Sequence, residues 1–434
     1  MACSSGGHTH GPGSGTGGDE ETGGAGPTPT GGVKGTGGMP DRPGTGGGPG
    51  YVPPDAAAGG AGGSPGGDAG SGGAGGGGSE MPGPTDLTKH KFSKPIKLDT
   101  TAAGANVAGD VAKYPVAIQL SAANFDFSQA RPGGEDVRFS TMAGQLLPYA
   151  IELWDATAKQ AAIWVKVDIK GNSTQSIVMH WGNPAAASAS DSKAVFSKED
   201  GFLGVYHLGE AGNNDPGGYK DASANEAHLT GSNMEPGTTV PARVGRGQQL
   251  DNPGGMGKNQ WIGGEGPKFE TDFHVSTHPI TASAWALGKS FSGYYETVIS
   301  KGDRAWTVQR DYMGRTETCT WSGTYHSCAI TKAPVVGKWT HYLIVQDTKT
   351  LTLYLDGKKA ASTESFNQNG PHGFAISHNM QSDKDPLKGK REWDGIFDEA
   401  RVLAVAKDAS WALLDFESQK EGSKFLTYGE TTTK

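Results

Sequence analysis

Cysteine, long apolar runs and clustered basic charge are all scarce in this sequence, and each scarcity excludes something. Three cysteines allow at most one internal pair and leave one odd residue. No run of about 20 apolar residues occurs, so no segment reads as a membrane-spanning helix. Lys and Arg number 38 against 46 Asp and Glu, a net charge of −8. The cations are scattered, so the basic footprint of a nucleic-acid binder is missing. Beyond residue 84 there is no Gly-x-Ser-x-Gly elbow, no His-Glu-x-x-His, no Gly-x-x-x-x-Gly-Lys-Ser/Thr loop and no Cys-x-x-Cys pair. An active site, if there is one, must be assembled from distant loops.

What is abundant is glycine. Of 70 glycines, 34 precede Thr85. Residues 1–84 are built of Gly, Pro, Ser, Thr and Ala with almost no aromatic or branched apolar side chains, too little surface to offset the entropy of ordering. They read as a disordered tether, about 50 Å in root-mean-square span for a flexible chain of this length. At its head, Met-Ala-Cys-Ser-Ser-Gly-Gly resembles the mature start of a bacterial lipoprotein, which implies acylation of Cys3. No charged n-region or apolar h-region precedes Cys3, so this reading requires an export signal that has been removed. His8 and His10 read as solvated tail residues.

The other two cysteines, Cys319 and Cys328, flank Thr-Trp-Ser-Gly-Thr-Tyr-His-Ser. The central Ser-Gly is a turn signal, and a hairpin there sets the thiols opposite one another. A local disulfide is expected, and with it an oxidising compartment.

From Tyr114 the pattern alternates with period two: Val116, Ile118 and Leu120; Val137 and Phe139; Ile163, Val165 and Val167 against Trp164 and Lys166; Ile177, Met179 and Trp181. These are half-buried strands. Pro132-Gly133-Gly134, Asp168 to Asn172 and Gly182-Asn183-Pro184 break them, which suits an antiparallel sandwich of five or six strands. Further on, Trp339 to Gln346 and Thr350 to Leu355 are alternating runs joined by Asp347-Thr-Lys, and Asp356-Gly357 is a strong hairpin signal. One helix is expected near Asp408 to Glu417, with Asp408 as cap and Trp411 and Leu414 facing a sheet.

Several segments carry family resemblances. Tyr114-Pro-Val-Ala-Ile-Gln-Leu, Asp136-Val-Arg-Phe, Leu147-Pro-Tyr-Ala-Ile-Glu-Leu-Trp-Asp, Ala162-Ile-Trp-Val-Lys-Val and Ile177-Val-Met-His-Trp-Gly-Asn-Pro together resemble domain of unknown function 2341. That family is a small β-domain of bacterial surface and envelope proteins, and it brings no catalytic residues with it. Val205-Tyr-His-Leu, Ile280-Thr-Ala-Ser-Ala-Trp, Val298-Ile-Ser-Lys-Gly-Asp, Gly337-Lys-Trp-Thr-His-Tyr, Leu351-Thr-Leu-Tyr-Leu-Asp-Gly-Lys and Asp394-Gly-Ile-Phe-Asp-Glu-Ala-Arg-Val resemble a laminin-G-like, concanavalin A-like jelly roll, out to a last strand near Phe425-Leu-Thr-Tyr-Gly. The expected fold class is therefore all-β. It comprises a disordered tether over 1–84, a DUF2341-like β-sandwich over 85–200 and a laminin-G-like jelly roll over 201–434.

The jelly-roll resemblance implies sites. Related domains hold Ca²⁺ with carboxylates and carbonyls, and the matching positions are Asp221, Asn225 and Asp398. The bland alternative is that these side chains satisfy their own turns. Glucanases of this fold need a Glu-x-Asp-x-Glu strand, which is absent, and Asp394, Asp398 and Glu399 fall in a strand signature whose acidic pair bonds loop amides. Lectin-like sheets stack sugars on aromatics. Of the group Tyr294, Tyr295, Trp306, Tyr312, Trp321 and Tyr325, Trp306 alternates with Val308 and reads as core. Tyr294, Tyr295, Trp321 and Tyr325 read as loop-borne ligand contacts. These features favour an extracellular, envelope-anchored or secreted binding or adhesion protein with a glycan or protein partner. A structural envelope spacer is the alternative, and a polysaccharide hydrolase is a third reading.

Overall fold

A computed structural model describes residues 86–434, apart from 256, 293, 303–304, 367–369 and 381–390. The tether and Cys3 lie outside the described residues. The period-two segments form strands β1 Phe92–Asp99, β2 Val111–Ser121, β3 Arg138–Thr141, β4 Tyr149–Asp155, β5 Gln160–Ile169 and β6 Thr174–Trp181. After a one-turn helix α1, Ser192–Val195, come β7 Phe202–Tyr206, β8 Thr230–Ser232, β9 Thr239–Pro241, β10 Arg246–Leu250, β11 Trp261–Gly264 and β12 Ile280–Ser290. Next are β13 Glu296–Ser300, β14 Thr307–Arg310, β15 Thr316–Trp321, β16 His326–Thr331, β17 Trp339–Gln346, β18 Thr350–Leu355 and β19 Lys358–Glu364. The chain ends with β20 Phe374–Ile376, β21 Asp394–Leu403, helix α2 Ala409–Gln419, β22 Leu426–Tyr428 and β23 Thr432–Thr433. Among the described residues no helix is long and apolar enough to cross a membrane.

The jelly roll is two facing antiparallel sheets. One runs β19-β18-β17-β12-β21-β10-β9 with β7 on β21, and the other runs β16-β15-β14-β13-β20-β11-β8. Their inner faces bury Ile280, Ala284, Val298, Trp306, Val308, Ile344, Phe374 and Phe397 in one core. Trp306 is fully buried, as its alternation with Val308 requires. The Asp-Gly signal after β18 makes the β18–β19 turn with both residues at positive φ, 51° and 73°, the pair of conformations a tight hairpin turn needs.

The first module is a smaller sandwich of β2-β5-β4 against a sheet in order β22-β1-β6-β3, with β23 also on β1. Two of its strands come from the far end of the chain. The resemblance assigned the segment near Phe425 to the jelly roll, but it pairs with β1, Ile96 opposite Tyr428 and Leu98 opposite Leu426. The expected helix forms, its Trp411 N–H donating to Asp408 at 2.8 Å. It lies across the first module: Ala117 N–H donates to Ser418 Oγ at 3.1 Å, and the Trp411 ring meets Tyr114 edge-on at 5.9 Å. The two modules thus form part of one compact unit. The shared packing also explains why β5 is buried on both faces rather than one. Ile163 and Val165 face the sandwich core, while Trp164 is buried against residues of the second module.

A pH effect follows from β6. His180 is buried, with Nε2 2.9 Å from Ser140 Oγ and Nδ1 without a hydrogen-bond partner among the described residues. Burial, with smaller contributions from Lys434 and His90, pushes it down to about 4. The unfolded chain, near the ordinary value of about 6.5, takes up this proton first. Stability is therefore complete above that value and falls as the pH drops toward 4, by about 2–3 kcal/mol from this group. Melting curves between pH 7 and 4 are expected to show the loss, and His180→Gln to flatten it. An unchanged acid slope in the variant would exclude His180 as its source.

Candidate functional site

A bulge in β21 shapes the geometry of the candidate site. Ser283 pairs with Arg401 and Trp285 with Asp398, so β21 carries one residue more than β12 between these points. Glu399 takes up the difference with φ 50°, a left-handed conformation that costs a non-glycine residue energy. Beside the bulge, ionisable groups from separate elements meet in the buried seam between the modules. Arg401 holds Glu399 Oε2 at 2.7 Å and Asp415 Oδ1 at 3.0 Å, its guanidinium 4.3 Å from the centre of the Trp164 ring. Asp415 also receives the Tyr114 hydroxyl at 3.1 Å and lies 3.2 Å from His341 Nε2. Glu399 Oε1 is 2.7 Å from His207 Nδ1, and Glu152 Oε2 is 3.4 Å from the same nitrogen. Trp164 Nε1–H donates to Glu152 at 2.8 Å.

The groups divide their charge unequally. Burial pushes Glu152 well above the usual carboxylate range, opposed by His207 and reinforced by Glu399 and Asp398. Against burial, Glu399 and Glu152 push His207 up to about 9. Also against burial, His207 and Arg401 hold Glu399 below the ordinary value. Burial and Glu399 push Asp398 up. A cavity of about 440 Å³ opens over this network, lined by Glu152 and Leu153 of β4, by Ser192, and by His207, Glu210, Lys220 and Arg246. Perturbed ionisable groups beneath a cavity are the usual mark of a functional site.

Periodicity missed this cluster because its members are spread from 152 to 415. The one available signal was the acidic pair of β21. Asp398 follows the expected amide-bonding role, accepting from Val244 N–H at 2.7 Å. Glu399 does not, since its oxygens go to His207 and Arg401.

The residues named for calcium divide. Asp221 Oδ1 accepts from the N–H groups of Val205 at 2.9 Å and Ser223 at 2.8 Å. Its Oδ2 accepts from Ser223 Oγ–H and Ala227 N–H, both at 2.8 Å. Four donors saturate this carboxylate, so it organises its own loop against β7. Asn225 does the same through Nδ2–H to Leu203 O, 2.8 Å. Asp398 belongs to the junction network.

The aromatic set divides as well. The register of β13, β14 and β15, Glu296 opposite Arg310 and Arg310 opposite Thr316, puts Tyr294 and Tyr295 at the same end of the sheet as the turn holding Tyr312. Tyr294 and Tyr295 meet edge-on at 5.7 Å, Tyr295 and Tyr312 are 5.7 Å apart, and Arg391 lies 5.0 Å from the Tyr295 ring. Tyr294 is 39% exposed and Tyr312 59%. At the opposite end Trp321 closes β15 and Tyr325 lies in the turn after it, Tyr325 70% exposed and Trp321 packed edge-on against His326 at 3.8 Å. Tyr312 was the residue to add, and the Asp311–Arg315 turn placing it beside Tyr295 follows from the hairpin register. Between the two ends Cys319 and Cys328 are directly opposite and disulfide-bonded, with Cα atoms 4.2 Å apart.

Residues 133–207 match the family model of domain of unknown function 2341, and residues 263–411 match the concanavalin A-like lectin/glucanases superfamily model, of laminin-G type. The chain therefore carries a DUF2341 domain followed by a concanavalin-like domain. No curated protein matches the chain by sequence. Similar solved structures include the binding domain of Paraclostridial Mosquitocidal Protein 1, at 15% identity and TM-score 0.40, covering 51% of this chain and 53% of that one. Domain 4 of AbnA, a GH43 extracellular arabinanase from Geobacillus stearothermophilus solved with arabinotriose, has 17% identity and TM-score 0.37, covering 51% and 98%. The botulinum neurotoxin serotype D binding domain has 10% identity and TM-score 0.37, covering 52% and 53%. The chain spans about half the length of the toxin binding domains it matches.

Proposed function

We propose that this is an extracellular binding protein that holds a glycan on the ridge formed by Tyr294, Tyr295 and Tyr312. The observation that carries this reading is the ridge itself. Tyr295 meets Tyr294 edge-on and Tyr312 at a tilt, and Tyr294 and Tyr312 leave much of their ring surface open to water. A sugar supplies both C–H groups for ring faces and hydroxyls for the phenol oxygens. The Cys319–Cys328 disulfide supports an oxidising setting outside the cytosol, and an acylated Cys3 would fix the chain to the envelope.

The test is a glycan array followed by calorimetry on the best ligand. Tyr312→Ala and Tyr295→Ala are each expected to weaken binding about tenfold or more, the worth of one lost ring contact. Tyr325→Ala, at the far end of the sheet, is expected to leave it unchanged. Full affinity in the Tyr312 and Tyr295 variants would end this reading. The same glycans are expected to be released intact, since the protein is proposed to bind without turnover.

A further inference from the structure

The geometry points to a divalent transition-metal site of the zinc type at the floor of the junction cavity, held by Glu152, His207 and Glu399. This inference is independent of the glycan reading.

One donor atom from each of the three residues lies within 4.8 Å of the others. Glu152 comes from β4 of the first module, while His207 follows β7 and Glu399 lies in β21 of the jelly-roll sheet, so an ion here would join the two modules. Each ligand is already oriented by a neighbour, as ligands of metal sites are. Trp164 Nε1–H fixes Glu152 and Arg401 fixes Glu399 through its second oxygen. The His207 ring is stacked on Trp164 at 5.7 Å and faces Phe196 at 5.6 Å.

Two further observations separate this from an ordinary salt-bridge network. The Glu152 side chain is only 5% exposed, yet it lines the cavity, so a nearly buried carboxylate borders the space open to an ion. Asp398 Oδ1, fully buried beside Glu399, has no hydrogen-bond partner among the described residues. Unpaired buried carboxylate oxygens are costly unless something positive meets them.

The donor chemistry selects the cation, and the distances are compatible with it. An ion about 2.0–2.1 Å from each donor in tetrahedral geometry sets donors about 3.3 Å apart. The His207–Glu152 separation of 3.4 Å already fits, and the His207–Glu399 contact of 2.7 Å needs to open by roughly half an ångström. An imidazole nitrogen among the donors favours zinc-type ions over Ca²⁺ or Mg²⁺. Three protein donors leave one coordination position for water or a ligand oxygen in the cavity.

The full chain, stripped with a chelator, should be titrated with Zn²⁺, Mn²⁺ and Ca²⁺ separately, with uptake read by elemental analysis, affinity by calorimetry and melting temperature by scanning calorimetry. The expected result is one tight Zn²⁺ per chain, a raised melting temperature and no displacement by excess Ca²⁺. Glu152→Gln is expected to weaken Zn²⁺ binding about a hundredfold while the stripped variant melts no lower than the stripped parent. His207→Gln serves the same purpose if the first variant fails to fold. A chain with both His8 and His10 replaced by Ala should keep the tight ion. The proposal is overturned if the stripped parent takes up no Zn²⁺, if both cluster variants hold it as tightly as the parent, or if uptake disappears with the tail histidines.

Discussion

Arg401→Ala is expected to lower the unfolding free energy by about 3–5 kcal/mol, the usual cost of removing one partner from a buried ion pair. Arg401 is fully buried and neutralises two fully buried carboxylates, Glu399 and Asp415, while its guanidinium lies against the Trp164 ring. Alanine leaves both carboxylates facing one another's field and takes away the stacked group that fills the seam. Because Trp164 belongs to β5 and Asp415 to α2, the loss reaches both modules, and chemical denaturation followed by tryptophan fluorescence should shift as one transition. Combining Arg401→Met with Glu399→Gln is expected to recover part of the loss, since the pair is then replaced rather than broken. A loss under about 1 kcal/mol in Arg401→Ala would show that water or another cation already compensates these carboxylates.

The seam that Arg401 closes is also where sequence reading ran out. Strands β17 and β18 and their turns were legible because alternation and Asp-Gly chemistry are local signals, and the Cys319–Cys328 pairing was legible because a Ser-Gly turn sits midway between the thiols. Trp164 was read as the outer face of a half-buried strand. Its burial depends on a second module whose approach leaves no mark in the period of β5. Glu152, His207, Glu399 and Asp415 carry no mutual spacing signal either, being joined only by tertiary packing and by one strand bulge. The aromatic residues show the intermediate case. Composition located the group in the middle of the jelly roll, but only the hairpin register separates Tyr312 and Tyr295 from Tyr325.

Deleting residues 425–434 is expected to unfold the DUF2341 module, although the deleted residues follow β6 by more than two hundred positions. Strand β1 is internal only because β22 and β23 cover its outer edge. They pair at Ile96–Leu98 and at Phe92–Ser93 and pass over Pro95, the one residue of β1 that cannot donate to a ladder. Gly429 makes this crossing possible, its N–H donating to Pro95 O at 2.9 Å, and a Cβ there would come within 2.8 Å of the proline ring. Truncation also removes Phe425, fully buried in the first core and worth about 2–3 kcal/mol by its area alone. The Tyr428 hydroxyl bond to Gln119 O, 2.8 Å, is lost as well. With a flat edge exposed along β1, the truncated chain should lose hydrogen-exchange protection in β1 and β6 first, aggregate at lower concentration, and melt roughly 10 °C or more below the intact chain. Gly429→Val, which only obstructs the crossing, should show the same pattern in milder form. If the truncated chain melts within about 2 °C of the intact one with β1 still protected, the C-terminal strands contribute nothing to the first module and the two β-domains are independent units.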